Sequence, residues 1–188
     1  MKKRRESRNW KERTIVKNRN GQVWVETVVY LLIAFAMMGL VLSFVKPKIE
    51  EMRDKTIIEQ SLGIIKDIDN SIITIGSPGN RRLLEIGIRK GSLVIDCEDD
   101  TITFEMDSKY GPSEVGEPVQ TGNIVTLTEG TERAYKVTLT RDFSDEYDFS
   151  YGNQKISKSL TKASNPYRLF ITNKGESSNK VLIDFNIE

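Results

Sequence analysis

The 188-residue chain contains no histidine and a single cysteine. Without an imidazole there is no Ser-His-Asp or Cys-His nucleophile, no histidine general base and no histidine zinc ligand; one thiol builds neither a cysteine cluster nor an internal disulfide. Most familiar enzyme sites are excluded on that ground. Also missing are a P-loop, a dinucleotide fingerprint, an EF-hand loop, an internal repeat and any Asn-x-Ser/Thr acceptor for N-glycosylation. The chain is therefore expected to be no enzyme, with no cofactor.

What the sequence does have is charge sorted along its length. The formal net charge is only +1, yet the first 20 residues hold nine bases (Lys2, Lys3, Arg4, Arg5, Arg8, Lys11, Arg13, Lys17, Arg19) against Glu6 and Glu12. The remainder is net acidic, so no nucleic-acid footprint is expected on the folded part. From Thr27 to Val45 the chain then runs 19 residues without a charge, which as a helix at about 1.5 Å per residue crosses roughly 28 Å of hydrocarbon. Residues 46–60 balance four bases with four acids, so the positive-inside rule places the N-terminus in the cytoplasm and the C-terminal bulk outside. A cleaved secretory signal is the competing reading, with Ala34-Phe35-Ala36 as its A-x-A site. Nine further uncharged residues follow Ala36, which fits a retained span better than an h-region ending there.

Glu26 stands at the edge of this run, where a carboxylate facing lipid costs on the order of a few kcal/mol unless it finds a partner. As an ordinary boundary residue it would snorkel into the headgroups. Its surroundings favour a functional role: the string Lys17-Asn18-Arg19-Asn20-Gly21-Gln22-Val23-Trp24-Val25-Glu26 resembles the class III signal peptide of type IV pilins, in its archaeal form. In that family a prepilin peptidase cuts after the glycine, on the cytoplasmic side, and leaves the hydrophobic segment on the mature protein. The resemblance implies cleavage between Gly21 and Gln22, with Glu26 as the fifth mature residue, where pilins keep a glutamate. Trp24 and Tyr30 stand where many archaeal pilins have Ser and Leu. It further implies a structural subunit whose Glu26 pairs with the new α-amino group of Gln22 on a neighbour, and whose helices pack in a filament core. Its partners would be the peptidase, copies of itself or related pilins, the pilus assembly machinery and, before assembly, the membrane. Ala34, Ala36, Gly39 and Ser43 lie at helical spacing and suit close helix approach. The alternative class is a monomeric, membrane-anchored surface domain with a binding or adhesion role.

Past the span, Pro47 is expected to bend the helix. Ile58, Leu62, Ile65, Ile68 or Asp69, and Ile72 then recur at three- and four-residue intervals, with Glu50, Glu51, Arg53, Asp54, Lys55, Glu59, Lys66 and Asp67 on the other side. That pattern predicts a half-buried amphipathic stem ended by Gly76-Ser77-Pro78-Gly79. From Arg82 the period changes to two: Leu84, Ile86, Ile88; Leu93, Ile95, Cys97; Ile102, Phe104, Met106. These predict three strands, with turns at Lys90-Gly91 and Glu98-Asp99-Asp100, and further strands follow at 123–128, 133–140, 167–172 and 180–187, the last two as a hairpin around 173–178. The expected organisation is a leader (1–21), an N-terminal helix (22–75, with the span at about 27–45 and the stem at 46–75) and a head (76–188). The class is α+β, the head an antiparallel β-sandwich packed on the stem. Residues 107–122 and 142–166 are expected to be surface loops.

The acidic groups Glu98-Asp99-Asp100 and Asp142, Asp145, Glu146, Asp148 offer hard oxygen ligands of a kind that suits Ca²⁺, against the plainer expectation of solvated turns. Phe143, Tyr147, Phe149 and Tyr151 suit a strand face or an exposed adhesive surface, core packing being the commoner fate of such residues. Cys97 shares the parity of Leu93 and Ile95, which marks it as a small buried apolar residue rather than a nucleophile.

Overall fold

The structure, a computed structural model, describes residues 19–131, 134–177 and 179–188, with side chains from Val23 onward. All but the last three positions of the expected leader lie outside the described residues, as does Arg133, the expected start of one strand.

A single helix, α1 (Arg19–Ile73), carries the chain from the leader into the head and continues through Pro47. The described chain forms two compact units that divide after Val45. In the first, the large apolar side chains from Val29 to Val45 are exposed. The helix is long and apolar enough to cross a membrane, and lipid is the solvent in which such a surface is stable without a protein partner.

In the second unit the same helix presents one buried stripe. Asp54, Ile58, Ser61, Ile65, Ile68 and Ile72 are buried at alternating intervals of four and three residues, the spacing that keeps side chains on one face of a 3.6-residue helix. The helix ends where Gly76 adopts a positive φ of 74°, a conformation that costs glycine little. The Asn80 and Asn173 side-chain amides donate to the Ile75 and Gly76 carbonyls at 2.8 and 2.7 Å.

Among the described residues ten strands follow: β1 (Arg81–Ile86), β2 (Ser92–Asp96), β3 (Thr101–Ser108), β4 (Val119–Thr121), β5 (Ile124–Thr131), β6 (Ala134–Asp142), β7 (Tyr147–Tyr151), β8 (Lys158–Thr161), β9 (Tyr167–Ser177) and β10 (Lys180–Ile187). They form a four-stranded sheet, β1-β9-β10-β7, and a six-stranded sheet, β4-β5-β6-β3-β2-β8. One core joins Leu93, Ile95, Phe104 and Leu139 of the larger sheet, Leu169, Ile171, Ile183 and Phe185 of the smaller, and Ile58, Ile65, Ile68 and Ile72 of the helix. Each such side chain, fully buried, contributes roughly 1.5–3 kcal/mol of transfer free energy. The α+β class, with a long N-terminal helix and a β-rich head, is as expected.

Three details differ from expectation. Every ladder is antiparallel except β10 with β7, which run parallel from Val181 opposite Tyr147 to Phe185 opposite Tyr151. The segments expected as loops contain β4, β7 and β8. The final hairpin is also longer than predicted: β9 runs through Lys174 and Gly175, the intended turn, and absorbs one extra residue as a bulge opposite Leu182 and Ile183. Gly175, at φ 105°, supplies the backbone freedom a bulge requires.

Candidate functional site

The first turn of α1 contains Gly21 and Gln22, whose side chains lie outside the described set. Glu26 comes one turn later and is exposed. Its Oε1 accepts a hydrogen bond from the Tyr30 hydroxyl at 3.3 Å, at the i,i+4 spacing where helical side chains meet. That is long for an O–H···O bond, so the tether is weak, and an ionised carboxylate has acceptor sites to spare. Tyr30, which departs from the archaeal pilin pattern in sequence, is therefore the residue that gives Glu26 a partner within its own chain. The four-residue spacing was the signal that identifies it. Further along, Ala34, Ala36, Gly39 and Ser43 are all exposed. Gly39 has open space where a Cβ would stand, and the Ser43 hydroxyl folds back onto the Leu40 carbonyl at 2.7 Å.

The head buries several carboxylates, and each is matched. Asp54, expected on the solvent side of the stem, is instead buried. Its Oδ1 meets Lys90 Nζ at 2.7 Å and its Oδ2 accepts from the Lys109 backbone N–H at 2.7 Å. Asp100, expected in a solvated turn, is also buried. It accepts from the Phe149 N–H at 2.8 Å and from Lys155 Nζ at 3.0 Å, with Lys180 Nζ at 3.9 Å. Asp148 pairs with the same Lys155. Asp184 takes the Ser150 hydroxyl at 2.9 Å and the Asn153 N–H at 2.7 Å. A carboxylate out of water is costly unless hydrogen-bonded and paired, and these arrangements meet that condition. Of the oxygens that might have held Ca²⁺, those of Asp100, Asp142 and Asp148 thus face lysines or backbone amides, while Glu98, Asp99, Asp145 and Glu146 are exposed, as expected of solvated turns. Among the described residues, no group of three or more Cys, Asp and Glu side chains is arranged to hold a metal ion.

The aromatic residues divide. Phe143 and Phe149 are core residues with ring centroids 5.1 Å apart, and Phe149 meets Phe185 edge-on at 4.9 Å. Tyr147 and Tyr151 are half-buried against them. Cys97 is fully buried, and desolvation pushes its thiol up to about 11. A thiol held protonated at neutral pH is a poor nucleophile, in keeping with its parity in the sequence.

No family model, curated protein or solved structure matches the chain.

Proposed function

We propose that the chain is the precursor of a type IV pilin-like structural subunit. In this reading it is inserted with its basic N-terminus in the cytoplasm, cleaved after Gly21, and assembled through its apolar helix into a cell-surface filament. The observation that carries the reading is the uninterrupted exposed apolar surface from Val29 to Val45, placed immediately after Gly21, Gln22 and Glu26. Such a surface needs lipid before assembly and neighbouring helices after it.

Cleavage creates a positive α-amino group at Gln22. Glu26, held among the described residues by the long bond from Tyr30, has capacity to accept that amine from a neighbour. In a low-dielectric helix bundle an opposite charge is strongly attracted, whereas either charge left alone is costly. The pair therefore favours one axial offset between subunits over others. The buried carboxylates of the head are already matched by lysines and amides and stabilise the fold.

A monomeric anchored domain would need neither the cleavage nor the glutamate. Intact-mass and N-terminal analysis of protein recovered from membranes that contain a prepilin peptidase separates the two: a chain beginning at Gln22 is expected, and one that still begins at Met1 overturns the proposal.

A further inference from the structure

The second unit is net acidic, yet one pocket of roughly 470 Å³ on its surface is strongly basic. Four separate stretches of chain supply the cations: Arg53 from α1, Arg89 and Lys90 from the β1–β2 connection, Lys109 just after β3, and Lys162 just after β8. Among the described residues of the lining, Glu50 and Asp54 are the acids. Asp54 does not oppose an incoming anion, because one oxygen is committed to Lys90 and the other to the Lys109 N–H; it cancels Lys90 and ties the β1–β2 connection to the helix. Among the described residues, Arg53, Arg89 and Lys162 make no ion pair or side-chain hydrogen bond. Glu50 alone remains to balance these three.

The position of the pocket in the sequence narrows its ligand. Glu50, Arg53 and Ile57 follow Val45, the last residue of the uncharged run, by five to twelve positions of one helix. The headgroup layer extends on the order of 5–8 Å beyond the hydrocarbon, and five residues of chain span at most about 18 Å, so the connection to Val45 keeps the pocket's first lining residue within reach of that layer. Two guanidinium groups form planar forks suited to phosphate oxygens, and lysine adds point charge. The one carboxylate of the lining not already committed, Glu50, is outnumbered by Arg53, Arg89 and Lys162, which favours lipids whose headgroup is net negative over those that add a choline or ethanolamine cation.

We propose that this pocket binds the phosphate of an anionic lipid headgroup and so seats the head on the bilayer surface while the subunit is still in the membrane. The inference rests on the membrane-span part of the reading above and is independent of cleavage at Gly21.

The test uses the full-length, uncleaved chain in detergent, titrated with phosphatidylglycerol, phosphatidylcholine or inorganic phosphate and read by native mass spectrometry. Phosphatidylglycerol is expected to bind in preference to phosphatidylcholine. The variant R53Q/R89Q/K162Q should lose affinity by on the order of a hundredfold, while K66Q/K158Q/R168Q, which removes three bases elsewhere, should not. R53K/R89K keeps the charge and should keep phosphatidylglycerol binding. All three substituted positions in the pocket variant are exposed, so an unchanged thermal midpoint is expected and confirms that the head is folded. Equal binding of phosphatidylcholine, or unchanged affinity in the pocket variant, overturns the proposal. Saturation by inorganic phosphate at the same concentrations assigns the pocket to a soluble anion and overturns the lipid. Carbonate extraction of membranes reports the span separately: release of the chain overturns the span and this inference together, whereas retention with unaltered lipid binding in the variant overturns this inference alone.

Discussion

Arg141 on β6 donates from Nε to Asp69 on α1 at 2.8 Å, and both side chains are largely withdrawn from water. The same guanidinium lies 4.3 Å from the centroid of the Phe143 ring. The contact fastens the six-stranded sheet to the stem and gives the helix a fixed register against the head.

Removing one partner leaves the other desolvated and unmatched, which is why Asp69→Ala should destabilise the head by about 1–3 kcal/mol. By contrast, Lys48→Ala, which breaks the exposed pair with Glu51, should cost less than about 0.5 kcal/mol. Thermal unfolding of both variants checks the difference, and a cycle with Arg141→Ala should return a coupling energy of about 1 kcal/mol.

Substituting Gly21 with leucine should block maturation and leave membrane insertion intact. The peptidase must approach the backbone closely at the scissile bond, whereas insertion depends on the charge bias and the apolar run. Gel mobility and carbonate extraction read the two properties independently, and normal processing of Gly21→Leu would count against the assigned site.

Glu26→Ala should yield a cleaved, membrane-held monomer that forms no filaments, because the Gln22 amine would be buried without a counter-charge, a defect of several kcal/mol per subunit. Tyr30→Phe removes only the long intrachain bond and should leave filaments in place. Electron microscopy of sheared surface material distinguishes the two. Wild-type polymerisation of Glu26→Ala as the sole subunit would reduce Glu26 to a boundary residue.

Acid should weaken the head partly through Asp96 and Asp142. The Glu98 N–H, followed by the Ser157 hydroxyl, holds the Asp96 carboxyl below its usual range, and the Ser144 N–H does the same for Asp142. Both groups bind protons less readily when folded. Their stabilisation is complete above the unfolded value near 3.9 and is lost as pH falls through the lower folded values. Urea midpoints followed from about pH 5 to pH 2 should drop less steeply in Asp96→Asn and Asp142→Asn than in the wild type.

Cys97 should resist thiol reagents in the native protein at pH 8 and react stoichiometrically in guanidinium, since burial both shields the sulfur and keeps its proton on. Rapid labelling of the native chain would contradict the packing described.

Much of the fold was legible because its strands alternate. β2, β3, β6 and β9 each bury apolar residues on one parity, as in the buried Leu93 and Ile95 or Val137 and Leu139, whereas β5 buries Ile124 with Thr126 and Thr128 and turns Val125 and Leu127 the other way. β4 was not legible because all three of its residues are exposed, and β8 buries only Leu160. β7 showed its aromatic alternation, but its parallel partner lies far along the chain. The burial of Asp54 was half-visible, since it sits four residues before Ile58 on the helix stripe; polarity hid it. Asp100 gave no such signal, because its match with Lys155 spans 55 residues and depends on tertiary structure alone. For the N-terminal site the motif was plain in sequence, and the structure adds the Tyr30 contact.

The smaller sheet also sets an order of events. β1 pairs with β9, β9 with β10, and β10 with β7, so every ladder in it uses residues from the last stretch of the chain. No part of that sheet can form during synthesis of the first hundred and fifty or so residues, and the distant pairings of β1 with β9 and β7 with β10 close slowly, in the range of milliseconds to seconds. A nascent chain engaged by its apolar helix would therefore carry β1 and β7 unpaired behind it, and the smaller sheet would close over the core only once the final strand had arrived.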